Sequence, residues 1–127
     1  KHVDERKDFD KSAYGAARLI HRVCIPEAKK ILNAHNIAYN ESDLWFRLFV
    51  LHVYHAGSMN VRAVVNKINP TAGGQELITA MWNTKAASFG NSSQNYTQLA
   101  LASQFILHDM TNAECVRLFD CQETEEN

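Results

Sequence analysis

The stretch that decides the fold is Ser42-Asp43-Leu44-Trp45-Phe46-Arg47-Leu48-Phe49-Val50-Leu51-His52-Val53-Tyr54-His55-Ala56-Gly57-Ser58. Ser42 is a helix-capping residue type and Asp43 suits a first turn. Residues 44–54 are apolar except for Arg47 and His52. At 100° per residue those side chains fall on nearly every side, the pattern of a buried central helix. The run is too short and too interrupted to span a membrane, which takes about 20 apolar residues. Gly57 stops the helix, and Ser58 is placed to cap the next one, with Val61, Val64, Val65 and Ile68 inward.

Working outward, the chain continues to read as helix. Upstream, a helix over 11–23 is expected, capped by Asp10, with Ala13, Ala16, Ala17, Leu19, Ile20 and Val23 as its apolar face. Pro26 interrupts it and opens a second helix, where Glu27 suits the dipole and Ala28, Ile31 and Leu32 face inward. Residues 35–40 are a polar loop. Downstream, residues 69–74 form a loop rich in turn residues. A short helix over 75–83 carries Leu77, Ile78, Met81 and Trp82. Residues 84–92 are a polar loop. A long helix over 93–110 follows, with Leu99, Leu101, Ala102, Phe105 and Ile106 as its face, then a shorter one over 113–119. No stretch alternates with the period of a half-buried strand. The expectation is an all-α domain over 1–121, about six helices around a buried central one, and a frayed acidic tail over 122–127.

A chain of 127 residues is a single-domain length with enough surface to bury for a real core. Thirteen Lys and Arg against fourteen Asp and Glu leave a formal charge of -1, without the basic excess expected of a nucleic-acid binder or of docking to an anionic membrane. Three cysteines, Cys24, Cys115 and Cys121, are too few for a disulfide scaffold and match no zinc spacing. Cys115 and Cys121 are six apart, a bridge if the chain between them leaves the helix and two thiols otherwise. His52 and His55, at i,i+3, share a helix face, but two histidines are an incomplete metal site, and a core histidine beside a surface or cleft histidine is the simpler account. Asn40, Asn91 and Asn95 each open an Asn-x-Ser/Thr triplet of the kind common in polar loops.

Three blocks carry a resemblance. The first is Val3-Asp4-Glu5-Arg6-Lys7-Asp8 followed by Ala16-Ala17-Arg18. The second is Leu51-His52-Val53-Tyr54-His55-Ala56-Gly57-Ser58-Met59-Asn60-Val61. The third is Leu77, Met81 and Trp82, then Ser93-Gln94-Asn95-Tyr96-Thr97-Gln98-Leu99-Ala100. In this order they resemble the VDERRD…AAR signature, the LAAYNAGxGxV helix-turn and the RNYVPKLLA segment of the membrane-bound lytic transglycosylase D group, an SLT family with a lysozyme-like helical fold.

The resemblance implies a lyase acting on peptidoglycan. The family cuts glycan strands between N-acetylmuramic acid and N-acetylglucosamine and leaves a 1,6-anhydro end. One glutamate serves as acid and then base, and the substrate's acetamido group assists, unlike the usual two-carboxylate glycosidase. In the family that glutamate lies in a Glu-Ser motif upstream of the VDER block. This chain starts two residues before VDER, so it is expected to represent the C-terminal portion of the catalytic domain, with no catalytic residue of its own and an N-terminal segment or fragment supplying the acid. Glu41-Ser42 stands after VDER and is an ordinary loop and cap pair. The substrate-binding residues carried over are Tyr54, His55, Gly57 and Tyr96. Tyr54 and Tyr96 match cleft tyrosines whose hydroxyls hold sugar oxygens and whose rings pack on sugar faces. His55 stands where the family has Asn. Ala56 and Gly57 match small residues at a sharp turn. Residues 25–40 form a longer insertion than the family has, and Asp4, Glu5 and Arg6 read as structural ion-pair anchors. The implied partner is the peptidoglycan glycan strand, the implied place the bacterial periplasm or cell envelope, and no metal or organic cofactor is implied. The other reading is a non-catalytic glycan-binding module or helical scaffold.

Overall fold

The computed structural model describes residues 4, 7–90 and 92–125, with side chains described as far as Asn112. The chain is all-α, with no strand among the described residues. The order is α1 (Phe9–Leu19), a π-helical turn (Ile20–Cys24), α2 (Ile25–Ala34), α3 (Leu44–Ala56), α4 (Ser58–Ile68), α5 (Gln75–Trp82) and α6 (Ser92–Glu125). Two compact units are present, Lys1–Tyr96 and Thr97–Asn127.

Within the first unit α3 is the hub. It packs against the π turn, α2, α4 and α5. Phe46, Leu48, Phe49, Val50, His52 and Val53 are buried along it, while Leu44, Arg47, Tyr54 and His55 stay exposed. The expected central helix is therefore buried on most of its circumference and open along one stripe. Phe46 and Phe49 each bring about 1.5–3 kcal/mol of burial on folding. Val61, Val64 and Val65 of α4 and Leu77, Ile78 and Met81 of α5 complete the core with Ala28, Ile31 and Leu32 of α2, the inward sets expected for these helices. Ile68 and Trp82 are half-buried against it.

The N-terminal helices differ from the expected pair. Phe9–Ala34 is one helical run, because the break expected at Pro26 is absorbed by the π turn just before it. The Ile25 N–H donates to the Ile20 carbonyl, five residues back. Proline cannot donate, and its ring clashes with the carbonyl four residues earlier in a regular α-helix; a widened turn relieves both problems. The cap is Asp8 and not Asp10: the Asp8 carboxylate accepts from the Lys11 N–H at 3.1 Å. Of the apolar face expected for 11–23, Ile20 packs against the core and the rest is largely outward. No residue of α1 is buried, and Leu19 and Val23 are about half exposed. Alanines cover little surface, and the helix makes its main contacts with the π turn that continues it.

Two caps also differ. Ser42 does not cap α3; Asp43 is the N-cap, and Ser42 is held in the preceding turn by its N–H and hydroxyl on the Asn40 side chain. Gly57 takes both the C-cap of α3 and the N-cap of α4, leaving Ser58 as the first residue of α4.

Among the described residues the second unit is helix alone. The break expected between residues 110 and 113 is absent, and α6 runs on to Glu125, so its backbone includes residues 122–125 of the expected acidic tail. Leu99, Phe105 and Ile106, expected to face inward, are exposed, each by three-fifths or more, as are Leu107 and Met110. Apolar residues at 99, 101, 105, 106, 107 and 110 fall on several sides at 100° per residue, so no single inward face forms. The Cys115–Cys121 pairing concerns side chains outside the described residues. The proposed anchors Glu5 and Arg6, and the triplet at Asn91, lie outside them as well.

Candidate functional site

The four residues expected to meet sugar sit around the elbow between α3 and α4. Gly57 makes that elbow. Its φ of 85° and ψ of 150° belong to a region that only glycine occupies without strain. Its N–H closes α3 on the Val53 carbonyl at 2.9 Å, and its carbonyl accepts the Val61 N–H at 3.1 Å to open α4. Asn60 braces the turn by donating from Nδ2 to the Ala56 carbonyl at 2.8 Å.

Tyr54 and His55 project from the last turn of α3 and are both exposed. The His55 imidazole stacks on the Tyr96 ring, centroids 4.0 Å apart and planes 4° from parallel. Tyr96 is half-buried in the first turns of α6, inside the first unit. The second and third sequence blocks thus meet ring to ring. Tyr54 is in no ring pair among the described residues, so the fold joins His55 with Tyr96 and leaves Tyr54 beside them on the same helical turn.

The segment joining α5 to α6 sets Tyr96 in place. Ala86 and Phe89 form a two-residue reversal, with N–H to carbonyl bonds of 3.0 and 2.8 Å, and Ala87 takes a φ of 50°. This drives Phe89 fully into the core, a position the polar look of 84–92 conceals. Lys67 Nζ donates to the Lys85 carbonyl at 2.8 Å, and the Ser88 N–H donates to Asn60 Oδ1 at 3.2 Å. Gln94, buried at the start of α6, donates from Nε2 to the carbonyls of Trp82 and Thr84 at 3.1 and 3.0 Å.

His52 lies under this segment. It is fully buried, its ring 5.2 Å from that of Phe89. Burial pushes its pKa down to about 4, and nearby His55 adds to that shift. His52 is thus a neutral core histidine and His55 an exposed one, as the simpler of the two sequence readings has it. Sequence reasoning left Phe89 in a loop and gave Gln94 no role of its own; for Gln94 the signal is one polar residue within an apolar-spaced turn, which is weak.

The carboxylates described are of another character than a buried acid. Glu41 is exposed and paired with Lys29. Glu27 pairs with Lys30 at 2.6 Å and with Arg62 at 3.9 Å. The Lys30 hydrogen bond holds the Glu27 carboxyl below its ordinary range, in the ionised form. Cys24 is a buried thiol whose pKa is raised by burial. The chain matches no protein-family model, no curated protein and no solved structure.

Proposed function

We propose that this chain is the C-terminal portion of a lysozyme-like lytic transglycosylase domain, and that its own part in the work is to hold a peptidoglycan glycan strand at the α3–α4 elbow. The observation that carries the reading is the face-to-face contact of His55 with Tyr96. Two sequence blocks that resemble the family at separate places converge there, beside a turn that only glycine makes comfortably. The all-α class is the coarser part of the fold that this reading expects.

The chemistry divides accordingly. An acid that protonates a glycosidic oxygen near neutral pH must be desolvated enough to keep its proton. Glu27 is held ionised and Glu41 is solvated, so neither is given that role. Tyr54 and Tyr96 offer hydroxyls to sugar oxygens, the exposed edges of the stacked pair offer an apolar rim to a pyranose face, and Gly57 leaves room for close approach. The place of action on this reading is the bacterial periplasm or cell envelope.

The test is digestion of purified peptidoglycan by the full gene product, with the products resolved by mass spectrometry. The expected product is a 1,6-anhydromuramyl end. Ends that have gained water, or no cleavage together with no retention on glycan, contradict the proposal. Retention without cleavage favours the second reading, a glycan-binding module, for which His55 in place of the family's Asn is the specific motive.

A further inference from the structure

We propose that an exposed apolar line along α1 is a docking site for α6 of a second copy of this chain. From the start of α1 to the first residue of the π turn, Phe9, Ala13, Ala16 and Ile20 follow at intervals of four, three and four residues, which keeps them on one side of the helix. Phe9 is 85% exposed and Ala13 is exposed, while Ala16 and Ile20 are half-buried. On α6, Leu99, Ser103, Ile106 and Met110 repeat the same intervals. The three large ones are each exposed by three-fifths or more. Each helix thus carries an open line about 16 Å long. Most helices draw their stability from packing such a line against a neighbour.

The two lines match in size and in charge. With the helices parallel and Phe9 beside Leu99, the small Ala13 and Ala16 leave room for Ile106, large against small. Residues 11–26 carry Lys11, Arg18, His21 and Arg22 and no acid. Residues 109–125 carry Asp109, Glu114, Asp120, Glu123 and Glu125 against Arg117 alone. Parallel pairing brings the basic end of α1 beside the acidic run of α6. Antiparallel pairing would set Asp109 beside Asp8 and Asp10, so charge selects the parallel arrangement. A pairing of α6 with α6 leaves the α1 line bare, and the acidic run is repelled by an anionic lipid surface. Each copy carries one line of each kind, so two copies satisfy both by exchanging α6. Phe9, Leu99, Ile106 and Met110 lose about 100 Å² each on being covered. Both contacts together, with the alanines between, bury about 1,000 Å², the low end for a specific interface, so the dimer is a weak one.

The experiment is analytical ultracentrifugation of the full chain from micromolar to millimolar concentration. A dimer with a dissociation constant on the order of 10–100 μM is expected. Ile106→Lys and Ala13→Lys are each expected to weaken it at least about tenfold. Circular dichroism stays unchanged in both, because both positions are exposed. Two further chains, Ala13→Cys and Ser103→Cys, each also carrying Cys115→Ser and Cys121→Ser, are then mixed and oxidised. The mixture is expected to give a disulfide-linked dimer that neither chain gives alone. A chain that stays monomeric over the whole range, a dimer that survives Ile106→Lys, or a cross-link formed by the Ser103→Cys chain by itself overturns the proposal. The result is separate from glycan binding, which is assigned to none of these residues.

Discussion

His55 and Tyr96 lie parallel, 4° from coplanar directions and 4.0 Å between ring centres. At that spacing the faces are in van der Waals contact, and each ring covers one face of the other. What remains for a ligand is the outer face and edge of each ring, with the Tyr54 hydroxyl on the same turn. Replacing Tyr96 with Ala removes both a ring and a support for His55. The expected result is at least about a tenfold loss of chitotetraose affinity with helicity unchanged. His55→Asn, which places there the residue of the family that the sequence resembles, keeps a donor and an acceptor at the position and is expected to retain binding. Isothermal titration of the two variants checks both.

Gln94 closes two carbonyls at the C-terminal end of α5, those of Trp82 and Thr84. Gln94→Ala leaves both part-buried acceptors without this donor. The expected cost is about 1–3 kcal/mol in urea unfolding. Faster amide exchange in the first turn of α6, with α2 and α3 unchanged, identifies the loss as local.

Gly57 and Gly15 make a matched pair. A Cβ at either position meets nothing within 4 Å, so space does not distinguish them. Backbone conformation does. Gly57 has a φ of 85°, and Gly57→Ala is expected to cost about 1–3 kcal/mol. Gly15 is in the interior of α1, where Gly15→Ala stabilises by about 0.5–1 kcal/mol. Thermal melts of the two variants should move in opposite directions.

The buried His52 makes stability depend on pH. Its folded-state pKa of about 4 lies below the ordinary 6.5. Between those values the unfolded chain binds the proton and the folded chain does not. Stability is therefore full above about pH 6.5 and is lost as pH falls toward 4, by about 3 kcal/mol at the lower end. Urea unfolding at pH 7 and pH 4.5 measures the slope. The His52→Leu variant is expected to show a flatter slope, whatever its stability at pH 7.

The α3–α4–α5 core is legible in the sequence because its spacing is unambiguous. Leu44 to Tyr54 is too apolar to lie on a surface, and Val61, Val64 and Val65 recur at helical spacing before a loop that cannot be helix. Proline misleads at position 26, since a π turn needs no residue signature of its own and turns an expected break into a continuous run. Phe89 is hidden because one aromatic among small polar residues reads as loop, and only the reversal at Ala86–Phe89 sends it inward. Tyr54, Gly57 and Tyr96 are expected from the resemblance alone, whereas the stacking of His55 on Tyr96 joins residues far apart in sequence. Gln94 seats the first turn of α6 on the carbonyls of Trp82 and Thr84, a contact that no local pattern encodes.

The most direct test of the central claim is a titration of this chain with chitotetraose, followed by NMR at each backbone amide and at the His55 and Tyr96 rings. The account predicts saturable shifts that cluster at Tyr54, His55, Gly57 and Tyr96 and vanish in Tyr96→Ala. Shifts absent at millimolar sugar, or clustered away from the α3–α4 elbow, contradict it.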